Sequence, residues 1–139
     1  MLYQVTVEVP ANTPKDQAVE KEVTVKEEVL TQVIIKFPPG PCGLLKVAIF
    51  YGNLQIWPST EGEWASGDDE TLESSIWFNL GPGEKKVKIK AYNEDELYEH
   101  SAIVRLEALP KTIAFWHLTV AKATSALASL FQKLWGRPL

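Results

Sequence analysis

From Tyr3 to Leu109 the chain is written in short runs that alternate apolar and polar residues, each stopped by a turn signal. No other feature constrains the fold as much, because a period of two belongs to a strand with one buried face. "YQVTVEV" places Tyr3, Val5, Val7 and Val9 on one side and Gln4, Thr6 and Glu8 on the other, before Pro10 and "NTP" end it. "VEKEVTVK" and "TQVIIKF" repeat the pattern, the second with Thr31, Val33, Ile35 and Phe37 together. "PPGPCG", Pro38 to Gly43, reads as a loop. "LLKVAIFY" then aligns Leu45, Val47, Ile49 and Tyr51, and Gly52–Asn53 turns tightly into "LQIW". A polar excursion is expected from Pro58 to Thr71, after which "SIWFNL", "KKVKIKAY" and "HSAIVRLEAL" complete the set, joined by "NLGPGEK" and "NEDELYE". Seven to nine short antiparallel strands predict an all-β protein, a β-sandwich or jelly-roll, and the pattern does not choose between the two topologies.

The last strand runs into a segment of another kind. "KTIAFWHLTVAKATSALASLFQKLW" carries Ile113, Trp116, Val120, Ala123, Leu127, Leu130 and Leu134 at alternating spacings of three and four, the heptad seam of an amphipathic helix. Ala114, Ala121 and Ala128 form a column of small residues beside it, where another backbone can approach closely. Lys122, Ser125, Ser129, Gln132 and Lys133 lie opposite. Thr112 is placed to cap the start, with Gly136 and Pro138 as the stop. With 139 residues, the chain divides into one β domain over 1–110 and a helical tail over 111–139.

Three roles for the helix stay open at this level. It can lie on its own sandwich, although the inner faces of two packed sheets already cover each other. It can associate with copies of itself, burying the seam and leaving Lys122 and Lys133 outside. Or it can meet a membrane: Trp116 and Trp135 stand about 28 Å apart along a helix, flanked by Lys111 and Arg137. Lys122 near the centre of such a span costs about 2.5–3.5 kcal/mol, which argues against crossing more than against lying on the surface.

Charge is divided unevenly. The tail holds Lys111, Lys122, Lys133 and Arg137 and no acid, hence +4, whereas the body sets ten Lys and Arg against eighteen acids, hence −8. An acidic body is a poor binder of phosphate backbones, so no nucleic acid is expected on it. Cys42 is the sole cysteine, which excludes an intrachain disulfide and a cysteine-rich zinc site. The strand-like N-terminus has the form of no secretory signal.

Residues able to carry chemistry are few. His100 and His117 fall in different elements without metal-ligand spacing, and Ser101 beside His100 points to the opposite face of a strand. "GPGEK", Gly81 to Lys85, is too short for a phosphate loop. Two acidic loops, with Asp68 and Asp69 in one and Glu94 and Asp95 in the other, offer the hard oxygen ligands of a Ca2+ site; solvated turn acids are the plainer reading. Among the aromatic residues, Trp57, Trp64 and Trp77 with Tyr92 and Tyr98 can line a sugar-stacking face. Trp64 in the polar excursion is the expected exposed platform, while Trp57 and Trp77 read as core anchors. No enzyme is expected.

"FPPGPCGLLKVAIFYGNLQIWP…GEWASGDDE…YNEDELYEHSAIVRL", Phe37 to Leu106, resembles uncharacterised proteins of phage-like and environmental origin. The architecture is also similar to the single sandwich or jelly-roll domains of viral coat, decoration and vertex proteins. That resemblance implies a structural subunit of a virion or other particle, with copies of itself, other shell proteins or a membrane as partners. The alternative is a carbohydrate- or cell-surface-binding module with a membrane-associating tail.

Overall fold

The computed structural model describes residues 1–135, without the side chains of 117–119, 121, 131, 134 and 135 in the final helix. Gly136, Arg137 and Pro138 therefore lie outside the described residues, as do the side chains of His117, Ala121, Leu134 and Trp135. Eight strands precede that helix: β1 (Leu2–Val9), β2 (Val19–Val25), β3 (Val29–Phe37), β4 (Leu45–Tyr51), β5 (Leu54–Trp57), β6 (Glu70–Asn79), β7 (Lys85–Asn93) and β8 (His100–Leu109). The helix α1 spans Lys111–Trp135.

Pairing is nested. β4 pairs with β5, β3 with β6, β2 with β7 and β1 with β8, all antiparallel, as if one long hairpin had been laid out from its β4–β5 turn. Rolling that hairpin adds the β3–β8 and β4–β7 pairings and yields two four-stranded sheets, β1-β8-β3-β6 and β2-β7-β4-β5. This is the jelly-roll form of the sandwich, which settles the topology that strand patterns left open.

The core lies between the sheets and follows the period of two. Val7 and Val9, Val33, Ile35 and Phe37, Val47 and Ile49, Val87 and Ile89, and Val104 and Leu106 are all fully buried. One charged residue joins them: the Lys85 ammonium, at the start of β7, donates to the carbonyls of Lys26 (3.2 Å) and Gly81 (2.7 Å), and these two bonds offset its loss of water. A β-bulge at Thr31 lets Leu30 and Val33, three residues apart, both turn inward on β3.

Two boundaries differ from the sequence reading. β6 begins at Glu70, not at Ser75, so the strand starts five residues early and the excursion expected to reach Thr71 stops at Asp69; Leu72 and Ser74 continue the inner phase of Ile76 and Phe78. Within the excursion Ala65 bridges to Val47, taking the place beside β4 that β5 vacates. A 3-10 turn at Lys15–Gln17 also interrupts the β1–β2 loop.

Alternating strand directions sort the connections. The β1–β2, β3–β4, β5–β6 and β7–β8 loops share one end of the roll, and the shorter β2–β3, β4–β5 and β6–β7 turns share the other. α1 leaves from the short-turn end.

Candidate functional site

β8 gives way to α1 at Pro110, whose carbonyl accepts the Ala114 N–H at 2.9 Å. Pro110 therefore holds the N-cap place, since that residue's carbonyl takes the first helical bond. Thr112 sits inside the first turn and does not cap it. Ala114 is 1% exposed and is the contact between the helix root and the body. Beyond this point the helix departs from the core-helix reading: Ile113, Trp116, Val120, Leu127 and Leu130 are all exposed, as is Ala123. The seventh seam residue, Leu134, has its side chain outside the described residues. The alanine column is likewise divided, with Ala114 turned to the body and Ala128 exposed.

An open groove of about 450 Å³ lies at the root of the helix, lined by Glu28, Trp77, Lys111, Thr112, Phe115 and Trp116. Trp77 is 46% exposed, so it is not the core anchor expected of it. Its neighbours Ile76 and Phe78 occupy the inner phase of β6, which forces Trp77 outward. Phe115 and Trp116 meet edge to face with centroids 6.3 Å apart. Among the described residues no helix is long and apolar enough to cross a membrane.

The proposed sugar-stacking residues fare differently from their expectation. Trp57 is buried in the core, as its anchor reading had it, and so offers no stacking face. Trp64 is only partly exposed, packed edge to face against Tyr92 (5.0 Å) and Phe50 (5.8 Å). The Lys15 ammonium stands over its ring at 5.4 Å and donates to Gly62 O at 3.0 Å. A flat, open platform is thus replaced by an internal cation–π contact that pins the excursion to the β1–β2 loop. Burial pushes the Tyr92 hydroxyl upward, and the carboxylates of Glu94 and Glu63 add to the shift. Tyr98 is exposed in the β7–β8 loop.

At the long-loop end the acidic residues bind backbone. Asp68 Oδ1 accepts the N–H groups of Gly40 (2.8 Å) and Cys42 (3.2 Å), holding the β3–β4 loop in shape with Cys42 at a φ of 51°. Asp95 Oδ1 accepts from Leu97 (2.9 Å) and Tyr98 (3.2 Å), while Oδ2 meets His100 Nε2. The Leu97 N–H and then His100 hold the Asp95 carboxyl below its ordinary value. Asp69 is exposed and Glu94 lies in the other loop. Among the described residues no three metal-capable side chains converge, and of the Ca2+ candidates Asp68, Asp69, Glu94 and Asp95 it is Asp68 and Asp95 that accept backbone N–H groups. For Asp95 the local mark of that role is an acid two and three residues before the N–H groups it accepts, whereas Asp68 accepts from residues 28 and 26 positions earlier and leaves no local mark.

Asn93 is the functional residue of this end that sequence reasoning missed. It is 1% exposed; its Nδ2 donates to Tyr98 O (2.9 Å), Val9 O (3.3 Å) and Pro10 O (3.3 Å), and its Oδ1 accepts from Asp95 N (2.9 Å). One amide therefore ties β1, β7 and the β7–β8 loop.

No family model matches the chain, and no curated protein matches it. The resemblance of Phe37–Leu106 to phage-like proteins thus has no named family behind it. Among solved structures, the chain is similar to one from Bacillus endospore appendages, described as a novel family of disulfide-linked pili. They share 10% identity over 78% of this chain and 88% of that one, with a TM-score of 0.34. A chain from the infectious bursal disease virus Gx strain shares 8% identity over 78% of this chain and 32% of its own, with a TM-score of 0.25. Superpositions at that level carry no functional argument.

Proposed function

We propose that this protein is a non-enzymatic structural subunit of a larger assembly, held to its neighbours by α1. The observation that carries the reading is the apolar stripe Ile113, Trp116, Val120, Leu127 and Leu130, exposed along a helix whose buried residue, among those described, is Ala114 at the root. Helices in proteins draw most of their stability from packing an amphipathic face, and an exposed stripe of this length marks an interaction surface. Covering five such side chains contributes about 7–15 kcal/mol at roughly 1.5–3 kcal/mol each. Association costs about 4–15 kcal/mol, so a stable complex requires most of the stripe to be covered at once.

The body suits the same role. A jelly-roll is a rigid frame with its loops gathered at two ends, used both by viral coat proteins and by lectins. Architecture does not decide between those uses. What favours the coat, decoration or vertex setting over a carbohydrate module is that Trp64 is occupied by Lys15 and Trp57 is buried.

Solution mass tests the reading, by light scattering after size-exclusion chromatography without detergent. The full chain is expected as a defined oligomer, and Leu127→Asp, at a position 67% exposed, as a smaller species with an unchanged circular dichroism spectrum. A wild-type chain that stays at 15.6 kDa at every concentration overturns the proposal.

A further inference from the structure

The seam of α1 can be covered by the same helix from other copies or by another part of a neighbouring copy. We propose the second: α1 docks on the body of a second copy of this chain, in the groove formed by Trp77, Glu28 and the root of that copy's own helix. This rests on the self-association reading above and names its partner surface.

Charge separates the two arrangements. The segment from Lys111 onward carries four cations and no acid, and the rest of the chain is −8. Parallel helices that bury the seam leave Lys122 and Lys133 outside, but they still gather tails that each carry four cations and no acid. A helix laid on a neighbour's body brings unlike charges together. Each surface pair is weak, but between two packings that cover the same apolar stripe the sign of the charge contacts favours the body.

The faces of the body are not equivalent. By register the outward residues of β2, β7 and β4 include Lys46, Lys86, Lys88 and Lys90 against Glu20 and Glu22, a basic face that repels α1. The outward residues of the other sheet include Glu8, Glu73 and Glu107 against Lys36 and Arg105. Trp77 lies on that second face, at its β6 edge; the groove beside it is lined by the Glu28 carboxylate and the receiving copy's own Lys111, so the charge that favours docking comes from the surrounding acidic face more than from the groove itself. A half-exposed indole in a groove with an acid suits a helix whose apolar stripe is interrupted by Ala123, because the small residue admits the ring while the cations of the helix face the acidic body.

Such an interface is heterologous: the surface given by one copy differs from the surface that receives it, so successive copies either close into a ring or continue as a filament. Mixing two defective full-length chains tests this. Leu127→Asp spoils the helix and leaves the groove, whereas Trp77→Lys spoils the groove and leaves the helix; both positions are exposed. Each variant alone is expected to be monomeric, and an equal mixture is expected to form a complex of twice the 15.6 kDa chain mass, weakened as ionic strength rises. If Trp77→Lys assembles like the wild type, the helices bundle with one another and the proposal is wrong. If both variants are monomeric and their mixture stays so at the highest soluble concentration, it is wrong as well. A monomeric wild type removes the parent reading itself, a result distinct from either.

Discussion

Asp95 Oδ2 lies 2.7 Å from His100 Nε2, joining the β7–β8 loop to the first residue of β8 with both side chains largely shielded from water. The carboxyl is held below its ordinary value, first by the Leu97 N–H and then by His100. A carboxylate depressed in the folded state adds stability that is present above its unfolded pKa and lost as pH falls through the folded one. Asp95→Asn, which keeps an oxygen acceptor but not the charge, is therefore expected to melt at a lower temperature than wild type at neutral pH. The two melting curves should begin to approach each other below about pH 4, the ordinary aspartate value, and meet only once pH has fallen through the lower value that the carboxyl has in the folded state. An offset that persists unchanged into acid would assign the pair a packing role only.

Asn93 supplies a sharper test of the same end, because its buried amide donates to three carbonyls at once. Replacing it by Ala leaves those acceptors unpaired, at an expected cost of about 1–3 kcal/mol in denaturant unfolding. Asn93→Asp is nearly isosteric yet removes both donors and turns a carboxylate toward the oxygens of Val9, Pro10 and Tyr98. It should destabilise more than Ala does. Equal effects would mean that the amide donors matter little and that shape alone holds the three segments.

How far the sequence revealed this structure depended on whether each feature leaves a local mark. β1, β3, β7 and β8 were readable because each buries one face, as Val5, Val7 and Val9 or Val87, Ile89 and Ala91 show. The first half of β6 was not, since Ser74 takes an inner position and Glu70 and Glu73 dilute the pattern. Ile76, Trp77 and Phe78 are consecutive apolar residues, so their phase was ambiguous and Trp77 was assigned to the wrong side. Nested pairing joins Leu2 to Glu107 and leaves no trace in either strand alone. The seam of α1 was legible in its spacing, but nothing local says what covers it. Trp64 misled for the same reason: Lys15, which sits over its ring, comes from a distant loop.

Trp64→Ala separates a structural from a ligand-binding role for that residue. Its ring is half-covered by Phe50, Tyr92 and Lys15, so truncation should cost about 2 kcal/mol, less than the roughly 3–5 kcal/mol of a fully buried aromatic. The loss should appear in urea unfolding as a lower midpoint with an unchanged slope. Full stability together with loss of retention on a glycan array would return the residue to a binding site.

Gly67 is fixed by space and not by backbone angle. A methyl group built there stands 2.9 Å from Phe37 Cδ2 and 2.6 Å from Glu70 Oε1. The glutamate can swing aside at little cost, but Phe37 is buried at the end of β3 and has nowhere to go. The Gly67 carbonyl also accepts the Gly43 N–H, so moving this backbone away disturbs the loop that Asp68 shapes. Gly67→Ala is expected to destabilise by about 1–3 kcal/mol, the usual effect of overpacking. The double variant Gly67→Ala, Phe37→Leu separates the causes: a smaller side chain at 37 should make the added methyl less costly than it is beside phenylalanine. If the cost of the alanine is the same in both backgrounds, the ring is not what excludes a side chain from position 67, and the loop backbone is.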